Sequence, residues 1–585
     1  MLKFLGNIVS TVIGLFVFIL ILFFGIVIIG SISGGDDEFA VKENSVIILD
    51  LSSVRYDYAG KVKFKDFAFA EDEHNGLFDI IEAIKFAKTD ANIKGISILN
   101  NETSLGMAQI KALRSALIDF KTTKKFVYSY ADVYSQKNYY LNSVANTIFI
   151  NPIGEFDFKG LGAEIMFYKD FQEKSGLKAE VIRHGKYKSA VEPFLENKMS
   201  DANKEQTTAL LNSLWNSMVA DISTSRNISI DQLNIVANGL LARTATMAKT
   251  QKLVDVVAYE DDYHNAIKKV LKVDDNDDYN NVSIEKYASN VAISEKKSEK
   301  DKIAIIYAQG EIMNGEGDVN VIAEGSMRRA IDEARKDDDI KAIVLRVDSP
   351  GGNALTSELI WRALEMTKKA KPIVVSMGNY AASGGYYISC NANQIFAEAN
   401  TITGSIGVFG LLPNFSQAAT KLGLNVEQVK THQNASEYSV FKPLDENYRA
   451  FAQESVEKIY DVFITRVANG RKMTKTQVDA IGQGRVWTGQ DALNIGLVDK
   501  IGGLDDAIKA AAVLGKTKKY STVYYPEYEK SFSDLFQQFV PFAQSKQSII
   551  EAEIGKQNYD LLQHIKNLST QKGIQARMMY ELKIE

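Results

Sequence analysis

From residue 45 to residue 525 the chain alternates between two patterns. Short, nearly continuous apolar runs predict strands buried on both faces: SVIILDL from Ser45, KIAIIYAQG from Lys302, IKAIVLRV from Ile340 and KPIVVSM from Lys371. Longer segments such as ELIWRALEMTKKA, from Glu358, carry helical spacing of apolar positions. Strands alternating with helices predict an α/β fold.

The pattern occurs twice. AIKFAKTDANIKG from Ala83 matches AIDEARKDDDIKA from Ala330, and YYLNSVANTIF from Tyr139 matches YYISCNANQIF from Tyr386, both at an offset of 247 positions. Gly160 with Gly407, and Gly176-Leu177 with Gly423-Leu424, keep the same offset. A register held this long is the signature of tandem duplication. The expected units are 36–273 and 302–525, with a polar linker at 274–301 (VDDNDDYNN, SEKKSEKDK). A tail at 526–585 shows helical apolar patterning in SFSDLFQQFV and IEAEIGKQNYDLLQHI.

The first 35 residues differ from the rest. Ile8 to Ile32 is an uncharged apolar run, about 25 residues or ~37 Å of helix, enough to cross a ~30 Å hydrocarbon core. It predicts a single membrane anchor. A cleaved signal peptide ending near GSISGG is the alternative, although the run exceeds the roughly 7–15 residues of an h-region. Lys3 before the run and Asp36, Asp37 and Glu38 after it leave the short end in the cytoplasm and export the body.

The two copies diverge where chemistry is possible. Ser383-Gly384-Gly385 and Asp348-Ser349-Pro350-Gly351-Gly352 each follow an apolar strand in the second copy, and their first-copy counterparts are Gln136-Lys137-Asn138 and Asn101-Glu102-Thr103-Ser104-Leu105. Glycine turns at the end of a strand expose backbone N–H groups that converge on an anion, which is what an oxyanion hole requires. Ser383 is a candidate nucleophile that needs a base. Lys188, in HGKYKSAVEPF, faces Ala435 at the same offset, so a cation is kept in one copy only. Lys186 and His184 are its local competitors. A lysine acts as a base only when burial holds it neutral, and the apolar run AVEPF is the candidate wall.

Composition adds exclusions. Net charge is −5 with no long basic run, so no nucleic-acid partner is expected. The one cysteine, Cys390, excludes an intrachain disulfide and a multi-cysteine metal site, and reads as a small core residue. With no HExxH helix, Walker loop or clustered His/Cys/Asp set, no metal or cofactor is expected.

IKAIVLRVDSPGG, AASGGYYIS and TGSIGVFG in the second copy, with YKSAVEPF in the first and one N-terminal anchor, resemble the signal peptide peptidase A (protease IV) family in its long two-repeat bacterial form. The resemblance implies a serine peptidase of the ClpP/crotonase-like fold that uses a Ser/Lys dyad. It implies Ser383 as nucleophile, Lys188 as general base and Ser405 as the residue orienting the lysine. Gly384, with Gly351 or Gly352, would supply the oxyanion donors. It further implies hydrophobic peptide substrates (cleaved signal peptides), a homotetramer, and a single-pass protein of the inner membrane with its body on the periplasmic side. The alternatives are a broad envelope quality-control protease, acyl-CoA chemistry on the same fold, and an inactive membrane scaffold.

Overall fold

A computed structural model describes residues 40–54, 56–64, 70–72, 76–294, 299–432, 435 and 438–530, with two short segments, 14–18 and 574–578. Apart from a short helical piece at 14–18, the expected membrane anchor lies outside the described residues. Among the described residues no helix is long and apolar enough to cross a membrane.

The fold is mixed α/β, in two units that repeat each other. In the first, six strands run in the order Val256–Val257, Thr147–Phe156, Phe126–Tyr134, Ile93–Leu99, Ser45–Ile48, Asn281–Ser283, all parallel. In the second the order is Val486–Thr488, Ile402–Gly404, Ile373–Ala382, Ile340–Ser349, Lys302–Gln309, Ser521–Tyr525, parallel except where Val486–Thr488 meets Ile402–Gly404. Central strands buried on both faces account for the continuous apolar runs, since helices cover each side of a parallel sheet. Helix Glu324–Lys336 shows how: Met327, Ala330, Ile331 and Ala334 lie on one buried stripe, with charges elsewhere.

The 247-residue offset holds from helices Leu77–Thr89 and Glu324–Lys336, through Met107–Lys121 and Ala354–Lys368, to Lys169–Ser175 and Ser416–Lys421. It then slips by two at the paired 26-residue helices Asp201–Arg226 and Glu446–Arg471. Residues 281–294, inside the polar stretch read as a linker, hold an edge strand and a helix of the first unit, burying Val282, Ile284, Tyr287, Ala288 and Val291. Beyond Pro526, Glu527–Lys530 is a strand paired with Lys61–Phe64, and Gln575–Arg577 is another. The two helical patterns of the tail lie outside the described residues. Cys390 is buried in the second core, and burial pushes its thiol up to about 12.

Two features lock the units together. Strand Lys178–His184 leaves the first unit and pairs antiparallel with Val408–Asn414 of the second, Val408 opposite His184 and Asn414 opposite Lys178. The Arg346 guanidinium, buried beneath the second sheet, meets the buried Asp57 of the first unit at 2.6 Å, and Asp57 also accepts from Gln109 at 2.9 Å. A buried pair of this kind makes loss of one partner costly, about 3–5 kcal/mol, because a lone charge stays behind.

Candidate active site

Strand Ile373–Ala382 ends at Ser383, where the chain turns into the short helix Gly384–Ser389. Ser383 has φ 55° and ψ −112°, a conformation side chains rarely adopt, costing ~1–3 kcal/mol. Backbone bonds on either side hold it there: its N–H donates to the Gly404 carbonyl at 2.8 Å, and its carbonyl accepts from the Tyr387 N–H at 2.8 Å. The hydroxyl is fully buried.

Lys188 arrives from the other unit. The antiparallel pairing of Lys178–His184 with Val408–Asn414 carries the chain across, and Lys188 follows four residues later, at the start of the 3-10 turn Ser189–Phe194. Its Nζ lies 2.8 Å from Ser383 Oγ, 3.0 Å from Ser405 Oγ and 3.1 Å from the Ser405 carbonyl oxygen. Lys188 is fully buried, and burial alone pushes its pKa well below the usual lysine range, with no carboxylate contributing. The contacts fit a neutral amine. A neutral Lys188 would donate two N–H groups to the two Ser405 oxygens and keep its lone pair for the Ser383 hydroxyl.

Part of the wall around the lysine comes from the second unit. A Cβ at Gly484 (φ 83°) would sit 2.6 Å from Lys188 Cβ, and one at Gly407 would sit 3.2 Å from Lys188 Cδ. The Phe409 ring centroid is 6.0 Å from Nζ. The loop bearing Gly484 is fastened by Tyr187 N–H to the Gln483 carbonyl at 2.9 Å and Gly484 N–H to the Ile406 carbonyl at 2.7 Å.

The competitors are placed elsewhere. Lys186 is exposed, its Nζ over the Tyr187 ring. His184 Nδ1 lies 2.6 Å from Glu457 Oε2, and its ring stacks on Tyr460.

The glycine turns converge on Ser383. A Cβ at Gly351 (φ 100°) would fall 2.7 Å from the Gly384 nitrogen, so the two turns touch. The Gly351 N–H donates to Ser349 Oγ at 3.1 Å. The turn is braced by Asp348, which accepts from the Tyr380 N–H at 2.9 Å and from Asn379 Nδ2 at 3.2 Å. Burial, then the nearby Asp57 charge, pushes the Asp348 carboxyl up to about 7.

The family model for peptidase family S49 matches this chain twice, over residues 119–274 and 365–518. The chain belongs to peptidase family S49. Protease 4 of Salmonella typhi is 39% identical over 467 residues, covering 78% of this chain and 74% of the relative. Protease 4 of Haemophilus influenzae is 35% identical over 517 residues, covering 85% and 83%. A chloroplastic serine protease SPPA of Arabidopsis thaliana is 29% identical, covering 84% and 72%. Among solved structures, a ClpP1 variant from Listeria monocytogenes is 13% identical, with a TM-score of 0.24, covering 35% of this chain and 94% of that one. The motif resemblance to the long two-repeat peptidase therefore holds, and this S49 chain is a serine peptidase.

Some residues of this S49 site carried little sequence signal. Gly484 and Phe409 form the lysine's wall, and Asp57 with Arg346 ties the units under the sheet. Phe409 and Arg346 lie within the motifs TGSIGVFG and IKAIVLRVDSPGG with nothing to mark these roles, and Gly484 lies in the double glycine of GQGR at 482–485.

Proposed function

We propose that Ser383 is the nucleophile and Lys188 its general base, on the ClpP/crotonase-like fold that the motifs imply. The single observation carrying this reading is the 2.8 Å approach of a fully buried lysine to a strained serine from the other repeat. Lys188 takes the proton as Ser383 Oγ bonds to the scissile carbonyl carbon. Gly384 and Gly352 donate N–H groups to the developing oxyanion; Gly352 is preferred because the Gly351 N–H already serves Ser349. The lysinium then protonates the leaving amine as the C–N bond breaks. Water, deprotonated by the regenerated amine, hydrolyses the ester and returns Ser383. Ser405 holds the lysine through two hydrogen bonds.

The substrates in this reading are remnant signal peptides. The apolar run Ile8–Ile32 anchors a homotetramer in the inner membrane, with the body on the periplasmic side, where such peptides are left in the bilayer. The test uses the full-length chain in detergent micelles with a synthetic signal peptide and, separately, a denatured protein, followed by mass spectrometry. Cleavage within the apolar stretch of the signal peptide, at least tenfold faster per molecule, is expected. Faster cleavage of the denatured protein would replace this reading with envelope quality control.

A further inference from the structure

Lys188 is covered by a turn that its own sequence does not favour. The Arg485 N–H donates to the Gly482 carbonyl at 2.9 Å and closes the turn. Its two central residues both have positive φ, 55° at Gln483 and 83° at Gly484. That is the pattern of a type I′ turn, which favours Asn-Gly, Asp-Gly or Gly-Gly at its centre. Glutamine in the left-handed region is strained, and strain of this kind persists only where the surroundings hold it.

The strained shape is what reaches the site. The Gln483 carbonyl accepts from the Tyr187 N–H at 2.9 Å, the Gly484 N–H donates to the Ile406 carbonyl at 2.7 Å, and the Arg485 carbonyl accepts from the Ser405 N–H at 2.7 Å. One turn therefore touches both the segment bearing Lys188 and the segment bearing Ser405. A Cβ at Gly484 would sit 2.6 Å from the Lys188 backbone nitrogen, so the contact leaves no gap for water there.

Tyr460 holds the turn from behind. Helix Glu446–Arg471 buries Val456, Tyr460, Phe463, Ile464 and Val467 on one stripe, where phenylalanine would pack as well. The hydroxyl has a use: Tyr460 Oη donates to Asp479 Oδ1 at 2.5 Å and accepts from the Gln483 N–H at 3.3 Å. The same Asp479 oxygen accepts from Gln483 Nε2 at 2.6 Å. Backbone and side chain of the strained residue are thus both pinned. The Tyr460 ring also stacks on His184, centroids 3.8 Å apart, at the end of the strand that delivers Lys188. Burial, then the hydrogen bond to Asp479, pushes the Tyr460 phenol above its usual range, so it stays a donor. The other charged and titratable groups around the turn are His184 with Glu457, Arg485 with Glu205 and Tyr187, and the exposed Lys186. None of them contributes to the lowered Lys188 pKa, which burial alone causes.

We propose that Tyr460, with Asp479, is a positioning residue for the general base: it holds turn 482–485 in its strained shape over Lys188 and keeps water from the amine. This rests on Lys188 being the base. Without the hydroxyl, the Gln483 N–H loses its acceptor and the turn relaxes off the lysine. Water then favours the ammonium over the amine, and less of the base is free at neutral pH.

The test is the pH profile of kcat/KM for the full-length chain in detergent micelles, on a peptide without titrating groups. Tyr460→Phe keeps the ring stack and removes the hydroxyl. Its acid limb should move to higher pH, with kcat/KM on that limb about 3–10-fold below native, the scale of one net hydrogen bond. The plateau should be recovered to within about twofold, with KM little changed. Adding Gln483→Asn, which suits the turn, should return the limb toward its native place. Tyr139→Phe is the control: it removes a buried hydroxyl of the first repeat, bonded to the Leu253 carbonyl at 2.9 Å, and should leave the limb unmoved. Should Tyr460→Phe not fold, Asp479→Asn, which keeps the shape and weakens both bonds of the carboxylate, takes its place in the same comparison. A native limb that the variant leaves in place, or an equal movement in Tyr139→Phe, would overturn this role alone. A native profile without the limb would overturn the Lys188 assignment and this role with it.

Discussion

Position 136 of the first repeat and position 383 of the second occupy the same place in the same fold, and they do opposite things. Gln136 is satisfied: its Oε1 accepts from the Lys159 and Gly160 N–H groups, each at 3.0 Å, and its Nε2 donates to the Gly160 carbonyl at 3.0 Å. Ser383 stands beside the equivalent glycine, Gly407, but reaches its carbonyl only at 3.4 Å, and its close neighbour is an amine from the other repeat. One copy has closed its site with a side-chain amide and the other has left a hydroxyl facing a lysine. After duplication, each unit can lose what the other supplies. The first unit kept the strand that delivers Lys188 and lost the glycine turns; the second kept the turns and has Ala435 at the position equivalent to Lys188.

The comparison is broken most severely by removing either partner of the dyad. Ser383→Ala and Lys188→Ala should each lower kcat by at least about 10³–10⁴-fold, while Lys186→Ala stays near the native rate. An active Lys188→Ala protein would show that the first repeat contributes no chemistry. Ser405→Ala should lower kcat about 10–100-fold with KM little changed, since it frees the lysine's direction without removing it. An equal loss in KM would point to a collapsed cleft instead.

The division of labour should also cost stability. Burial lowers the Lys188 pKa in the fold while the unfolded chain protonates it up to ~10.4, so between the two pKa values the unfolded state binds more protons and stability rises with pH. Lys188→Met removes this linkage. It should stabilise the inactive protein at pH 7, a gain that shrinks toward pH 10, as read by denaturant midpoints. A destabilised variant at pH 7 would mean the lysine is charged there. In the other repeat, Gln136→Ala should leave kcat/KM unchanged and cost about 1–3 kcal/mol of stability, because buried N–H groups lose their acceptor. Activity loss at Gln136 would show that the first repeat's closed site still matters to the second.

Much of this was readable before any coordinates. The duplication was, because core strands such as Ile93–Leu99 and Ile340–Ser349 impose the same apolar runs wherever they occur. Comparing copies marked Lys188 as a candidate but left Lys186, which faces Gln433 at the same offset, as its competitor, and the YKSAVEPF motif is what singles out Lys188. The features that escaped depend on partners far along the chain. Phe409 and Gly484 reach Lys188 from more than two hundred positions away. Gln575–Arg577 has little strand propensity of its own and is a strand because two edges await it. Val282, Ile284 and Tyr287 were hidden by the charges around them, which face solvent while these residues close the first sheet.

The central claim is that a neutral Lys188 takes the Ser383 proton, and the most direct measurement is kcat/KM from pH 5 to pH 10 on a substrate without titrating groups. The account predicts a rise along one limb with an apparent pKa well below lysine's ordinary ~10.4, a plateau before pH 10, and no activity in Lys188→Arg, whose guanidinium cannot be deprotonated. Activity that climbs without a plateau into the ordinary lysine range, or an active Lys188→Arg protein, would contradict it.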